Sequence, residues 1–158
     1  MEYDVEGVRD VRRVLWQWGQ IDRRIADLME QMRIAVARID SVYQMSSSRA
    51  MDGKPHGTGT SDPVFRAVEK IAKMRELFAQ EVEVCEQQIK EAQEFKASIN
   101  EAMQCLTPVQ RDVVKLRYQE GHYWPFIAVK LYMSEKTARR YDVQACGILA
   151  KKISVRKS

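Results

Sequence analysis

The chain is short of the residues that build catalytic centres and crosslinks. Its two histidines, His56 and His122, lie in unrelated segments. They suggest no Cys-His or Ser-His-Asp arrangement, so the expectation is a protein that is not an enzyme. Three cysteines, Cys85, Cys105 and Cys146, are an odd number, widely spaced in helix-like sequence. That argues against a disulfide framework or a zinc knuckle and predicts buried or half-buried thiols, with no metal and no cofactor. Long apolar runs are also missing, and none approaches the roughly 18 consecutive residues a membrane span needs. The opening MEYDVEGVRD has neither the basic start nor the apolar stretch of a secretory leader. The expected location is therefore cytoplasmic, away from membranes. Among only four prolines, Pro63, Pro108 and Pro125 each stand where a helix would begin, a position that tolerates the missing N–H.

What remains is charge and helix-forming sequence, 30% charged against 45% hydrophobic. Residues 106–158 hold 11 Lys+Arg and 4 Asp+Glu, a net +7, which leaves −3 for residues 1–105. A split of this kind points to a polyanion-binding module joined to a neutral or acidic one.

Residues 4–45 read as one long helix. Alternating steps of three and four land on Val8, Val11, Leu15, Trp18, Asp22, Ile25, Met29, Met32, Val36, Ile39 and Tyr43. In residues 63–104 the same stepping visits Val64, Val68, Ile71, Arg75, Phe78, Val82, Cys85, Ile89, Ala92, Lys96, Ile99 and Met103. Heptads sustained this long predict a coiled coil or helical hairpin, in which the polar seam residues Asp22, Arg75 and Lys96 either set register or mark where the seam turns to solvent. Ile21, Leu28, Ala35 and Val42 add a third apolar position per heptad. The stripe is then too wide for two helices, and a homodimer through residues 1–105 is expected to cover it. The Gly/Ser-rich segment 46–62 breaks both helices, with Ser61 or Asp62 capping the second. Its GKPHGTGT stretch lacks the G-x-x-x-x-G-K-[ST] order of a phosphate loop, so it reads as a connector.

The C-terminal third begins with another cap and proline, Thr107-Pro108, which start a helix over about 108–119 with Val109, Val113, Val114 and Leu116 inward; Gly121 punctuates its end. A second helix from Pro125 buries Ile127, Ala128 and Leu131. Ser134 then caps a third, from Glu135 to about Lys152, with Ala138, Tyr141, Ala145 and Leu149 inward. Ile127, Leu131, Met133, Ala138 and Tyr141 form the wedge between the last two, with Trp124 closing the core at that end. The predicted fold is all-α: a long antiparallel helical hairpin or coiled-coil arm, residues 1–105, followed by a helix-turn-helix domain, residues 106–158.

The segment LTPVQRDVVKLRYQEGHYWPFIAVKLYMSEKTARRYDVQACGILAKKI, residues 106–153, resembles region four of bacterial sigma factors, the promoter −35 reader. The shared pattern is L-T-P-x-x-R-x-V-x-x-L-R-[YF], then I-[AG]-x-x-L-x-[VM]-S-x-x-T/R-[AV]-R, then A-x-x-x-L. With a long helical N-terminal part and the G-T-G-T-S-D-P stretch, the whole is similar to phage and prophage late-gene transcriptional regulators of the ArpU type. The chain departs from the sigma pattern at Tyr132, where the turn usually has Gly. Either the turn differs here or packing of the phenol offsets the strain.

The resemblance implies a sequence-specific regulator that binds double-stranded DNA and reads the major groove with helix 135–152. Its base contacts would be Glu135, Lys136, Arg139 and Arg140, since Arg and Lys donate to guanine and Glu accepts from cytosine. Backbone contacts would come from Thr137, Arg117, Lys130, Lys151, Lys152, Arg156 and Lys157. Two other readings join a helix-turn-helix to helical parts: a small terminase subunit for DNA packaging, and a divergent sigma factor that binds RNA polymerase.

Overall fold

The computed structural model describes residues 5–50 and 63–157. The chain forms α1 (Val5–Gly19), α2 (Ile21–Ala50), α3 (Pro63–Met103), α4 (Pro108–Val114), a π-helical stretch (Lys115–Gln119), α5 (Trp124–Lys130) and α6 (Glu135–Lys157), with no strand among the described residues. The fold is all-α. Most of the expected connector, with Ser61 and Asp62, lies outside the described residues.

The long first helix is two helices. Gln20 donates its N–H to the Gln17 carbonyl at 3.2 Å, a tightened turn between α1 and α2. The cause sits next to it: a Cβ at Gly19 would collide with the carbonyl of Tyr118, so the π-helical stretch presses on α1 where only glycine fits.

Contacts divide the chain into two compact units, one of residues 1–24 with 92–158 and the other of residues 25–91. This division differs from the one expected at Cys105/Leu106. In the first unit, α1 packs on α6 and on the π-helical stretch, and Val11, Leu15 and Trp18 are buried there rather than in a hairpin seam. The end of α3 joins them: Trp18 Nε1 donates to Asn100 Oδ1 at 3.0 Å, and Lys96 meets Asp22 at 2.5 Å. Two of the three polar seam residues thus pair with each other.

The second unit is an antiparallel hairpin of α2 and α3. Arg38 pairs with Glu81 at 4.0 Å and lies over the Phe78 ring, and the next turn along, Tyr43 meets Arg75, so partner numbers fall on α3 as they rise on α2. The buried line on α2 is Leu28, Ala35 and Val42, one residue per heptad, and Cys85 and Ile89 are buried on α3. The expected main stripe, Met29 through Tyr43, is left half-exposed.

Around α4 to α6 local chemistry is as expected. Thr107 and Gln110 form a reciprocal capping box, Pro108 opens α4 and Pro125 opens α5. Ser134 Oγ accepts from the Thr137 N–H at 3.1 Å, capping α6. The core between these helices is Val113, Leu116, Ile127 and Ala138, flanked by Trp124, Leu131, Met133 and Tyr141. Val109 and Cys105, expected inside, are exposed: each lies at the solvent side of a junction whose core is filled by Met103, Leu106 and Val113.

Candidate nucleic-acid interface

The site is built around α6, which has two contrasting parts. From Tyr141 to Ala150 every residue is buried or half-buried, because α1, α4 and α5 pack around it. Before Tyr141 the helix emerges: Ser134, Glu135, Lys136, Arg139 and Arg140 are exposed, while Ala138 is fully buried. Positions 135 and 139, and 136 and 140, are each one helical turn apart, so the four candidate readers share one outward face.

Their charges are used unequally. Arg139 pairs with Glu135 at 3.9 Å and lies 5.6 Å from the Trp124 ring centroid, an arrangement that holds both side chains back against the first unit, the head, of residues 1–24 and 92–158. Lys136 and Arg140 form no ion pair among the described residues, although Arg140 lies 5.8 Å from the Tyr141 ring. On the first two turns of α6 they are the cations left open to an external anion.

Of the expected backbone contacts, Lys130, Lys151 and Lys152 are exposed. Lys151 lies 15 residues beyond Lys136, about 22 Å along the helix, so the structure does not bring the two together. Thr137 is half-buried, and its hydroxyl is occupied with the Ser134 cap at 2.9 Å. Arg117 serves the fold: it donates to the His122 carbonyl at 2.9 Å, and the rings of Trp16 and Trp124 lie 5.4 and 5.0 Å from it. That guanidinium ties the 120–123 loop and α1 to α5, and it is withdrawn from the candidate interface. The side chains of Arg156 and Lys157 lie outside the described residues.

Behind the exposed turns is a buried polar cluster that the sequence reading did not single out. Asp142, its side chain 1% exposed, accepts from Arg12 of α1 at 3.0 Å and from the Tyr118 hydroxyl at 2.9 Å. The Cys146 thiol, one turn along α6, lies 3.8 Å from the same carboxylate. Burial and then the Asp142 charge push the Cys146 thiol up to about 12 and hold the Tyr118 phenol well above its usual range. Both groups stay protonated as donors, so α6 is pinned to α1 two residues after Arg140. A lone acid at an inward position of a basic helix was the available signal for this cluster.

The turn before α6 settles the question raised by Tyr132. Its φ is 54°, so the left-handed turn is kept. The phenol is 97% exposed, so no packing among the described residues offsets the strain.

Among known proteins, the model of one family, described as a protein of unknown function (DUF722), matches residues 18–151. No curated protein and no solved structure matches the chain.

Proposed function

Because the chain belongs to the DUF722 family, whose description assigns no activity, we propose a function from its own residues: a non-enzymatic, sequence-specific regulator of transcription that binds double-stranded DNA. In this reading α4 to α6 act as a helix-turn-helix, α5 as the positioning helix and α6 as the reading helix, entering the major groove N-terminus first. One observation carries it. The first two turns of α6 project Lys136 and Arg140, without ion pairs among the described residues, from a helix whose residues 141–150 are all buried or half-buried. A rigid rod tipped with uncommitted cations suits major-groove reading, where each well-placed side chain discriminates by about 1–3 kcal/mol. The +7 balance of residues 106–158 supports it, since attraction to phosphates drives such binding. So does the resemblance to sigma region four and to phage regulators of the ArpU type.

Lys136 and Arg140 are the principal readers, Glu135 and Arg139 adjust once released from each other, and Lys130, Lys151 and Lys152 meet phosphates. The test is selection from a random duplex pool by the parent, by Lys136→Ala and by Arg140→Ala. Enrichment of one motif by the parent, relaxed at one or two base pairs in each variant, is the expected result. A parent that enriches nothing, or variants with the parent's motif unchanged, would overturn it.

A further inference from the structure

Among the described residues, Arg139 is the candidate reader tied to another helix. Its guanidinium lies 5.6 Å from the ring centroid of Trp124 on α5 and pairs with Glu135 at 3.9 Å. Trp124 is itself fixed. It is half-buried against the core of Val113, Leu116, Ile127 and Ala138, and the Arg117 guanidinium lies 5.0 Å from its ring centroid. Arg117 in turn donates to the His122 carbonyl at 2.9 Å and lies 5.4 Å from the ring of Trp16 on α1. A file of alternating rings and guanidiniums, Trp16, Arg117, Trp124 and Arg139, thus runs from α1 to the exposed turns of α6. Arg140, by contrast, meets the ring of Tyr141, its own neighbour in sequence.

Magnitudes decide what such a hold does. A guanidinium well placed on guanine discriminates against other bases by about 5- to 150-fold. An exposed contact between a cation and a ring is worth about two- to fivefold. An exposed ion pair one turn apart adds about twofold, and Glu135 and Arg139 are both exposed. Arg117 and Arg139 are also like charges on one ring, which weakens the hold on Arg139. The restraint is therefore too weak to keep Arg139 from a guanine, yet large enough to subtract from the reading of one.

We infer, on the reading of α6 proposed above, that Trp124 is a positioning residue for specificity: by drawing Arg139 toward α5 it lowers the guanine preference at the base pair Arg139 faces, so that Lys136 and Arg140 dominate the motif. A residue that only closed the core would behave in the opposite way. A loosened core relaxes discrimination everywhere, whereas a released Arg139 sharpens it at one place.

Competition binding by the full chain tests this, with the duplex selected by the parent set against its single-base-pair variants. Ratios between duplexes are read, because a change of charge at position 135 shifts affinity for all of them alike. Trp124→Leu is expected to raise the preference for guanine about two- to fivefold at one base pair, while the base pairs set by Lys136 and Arg140 keep the parent's preferences. Should Trp124→Leu unfold, Trp124→Phe keeps a ring in the core with a weaker hold on cations, and a smaller gain at one base pair is expected. Glu135→Gln releases Arg139 from its other side and should give about a twofold gain at the same base pair. Adding Arg139→Ala to any of these variants should abolish the gain. A parent that selects no motif overturns the DNA reading and the role of Trp124 together. With a motif in hand, the role of Trp124 alone is overturned by a folded Trp124 variant without the gain, by a gain that survives Arg139→Ala, by a Glu135→Gln gain at a different base pair or none, or by relaxed preferences at the base pairs of Lys136 and Arg140.

Discussion

In the hairpin of residues 25–91 the charges answer one another and apolar side chains face outward. Glu30 meets Arg33, Arg38 meets Glu81 and Glu69 meets Lys73, while Met29, Val36 and Leu77 lie open. The first two turns of α6 are the reverse: Ala138 is buried, and Lys136 and Arg140 are exposed, without ion pairs among the described residues. One region offers apolar area over many residues and the other offers a few cations on a fixed support. A surface of the first kind suits a permanent partner, because burying apolar area is non-directional and grows with length. The second suits a polyanion that must be told apart from similar ones, because its few contacts depend on where a rigid element places them. The polar clusters match this contrast, with exposed ion pairs in the hairpin and a buried carboxylate, Asp142, in the head.

The largest effect should come from breaking the buried cluster. Arg12→Ala leaves the Asp142 carboxylate in the interior with only the Tyr118 hydroxyl and the Cys146 thiol as donors. Removing one partner of a buried pair costs about 3–5 kcal/mol, and the low end applies here because Arg12 is itself 43% exposed and Tyr118 stays. Urea unfolding should show that loss, and adding Asp142→Asn should recover part of it. The counterpart in the hairpin, Arg38→Ala, should cost less than about 1 kcal/mol, since exposed pairs contribute little. Equal costs for the two would erase the distinction between the regions.

Gly19→Ala is next in size and has an unusual sign. In an exposed helix interior, replacing glycine by alanine stabilises by about 1 kcal/mol. Here the new methyl meets backbone, the Tyr118 carbonyl, which can yield only if the π-helical stretch retreats from α1. A loss of about 1–3 kcal/mol is expected, as for overpacked sites. It should appear in thermal unfolding of the full chain, and a gain would mean that α1 does not press on the head.

These two sites also mark where the sequence stopped being legible. Caps, proline starts and the wedge of Ile127, Leu131, Met133, Ala138 and Tyr141 could be read directly, because each depends on neighbours within a few residues. The allegiance of α1 could not. Its apolar stripe continues in phase into α2, and the stripe itself says nothing about exchanging α3 for α6 as the surface it covers. Gly19 alone hinted at a close approach, and its partner, Tyr118, lies 99 residues away. The same distance hid the role of Arg117, a plausible phosphate contact by position whose charge is taken up between Trp16 and Trp124. Heptad counting found three apolar positions on α2 but could not say which is buried. That depends on the rotation of α2 against α3, which only packing fixes.

The smallest effect is expected at Tyr132, and it separates strain from function within the head. Its left-handed backbone, at φ 54°, costs a residue with a side chain about 1–2 kcal/mol. Tyr132→Gly removes that cost, and the phenol, exposed to 97%, surrenders no packing. Glycine gives back part of the gain through its freer unfolded chain, about 0.5–1 kcal/mol. A net rise of about 0.5–1 kcal/mol remains, which for a chain of this size raises Tm by a few degrees. Affinity for the selected duplex should stay within about twofold, because the reading is assigned to Lys136 and Arg140 and the turn keeps its shape. A variant that melts higher but binds markedly less tightly would show that the head also uses exposed aromatic surface. The contrast between a head that offers charge and a hairpin that offers apolar area would then have to be redrawn.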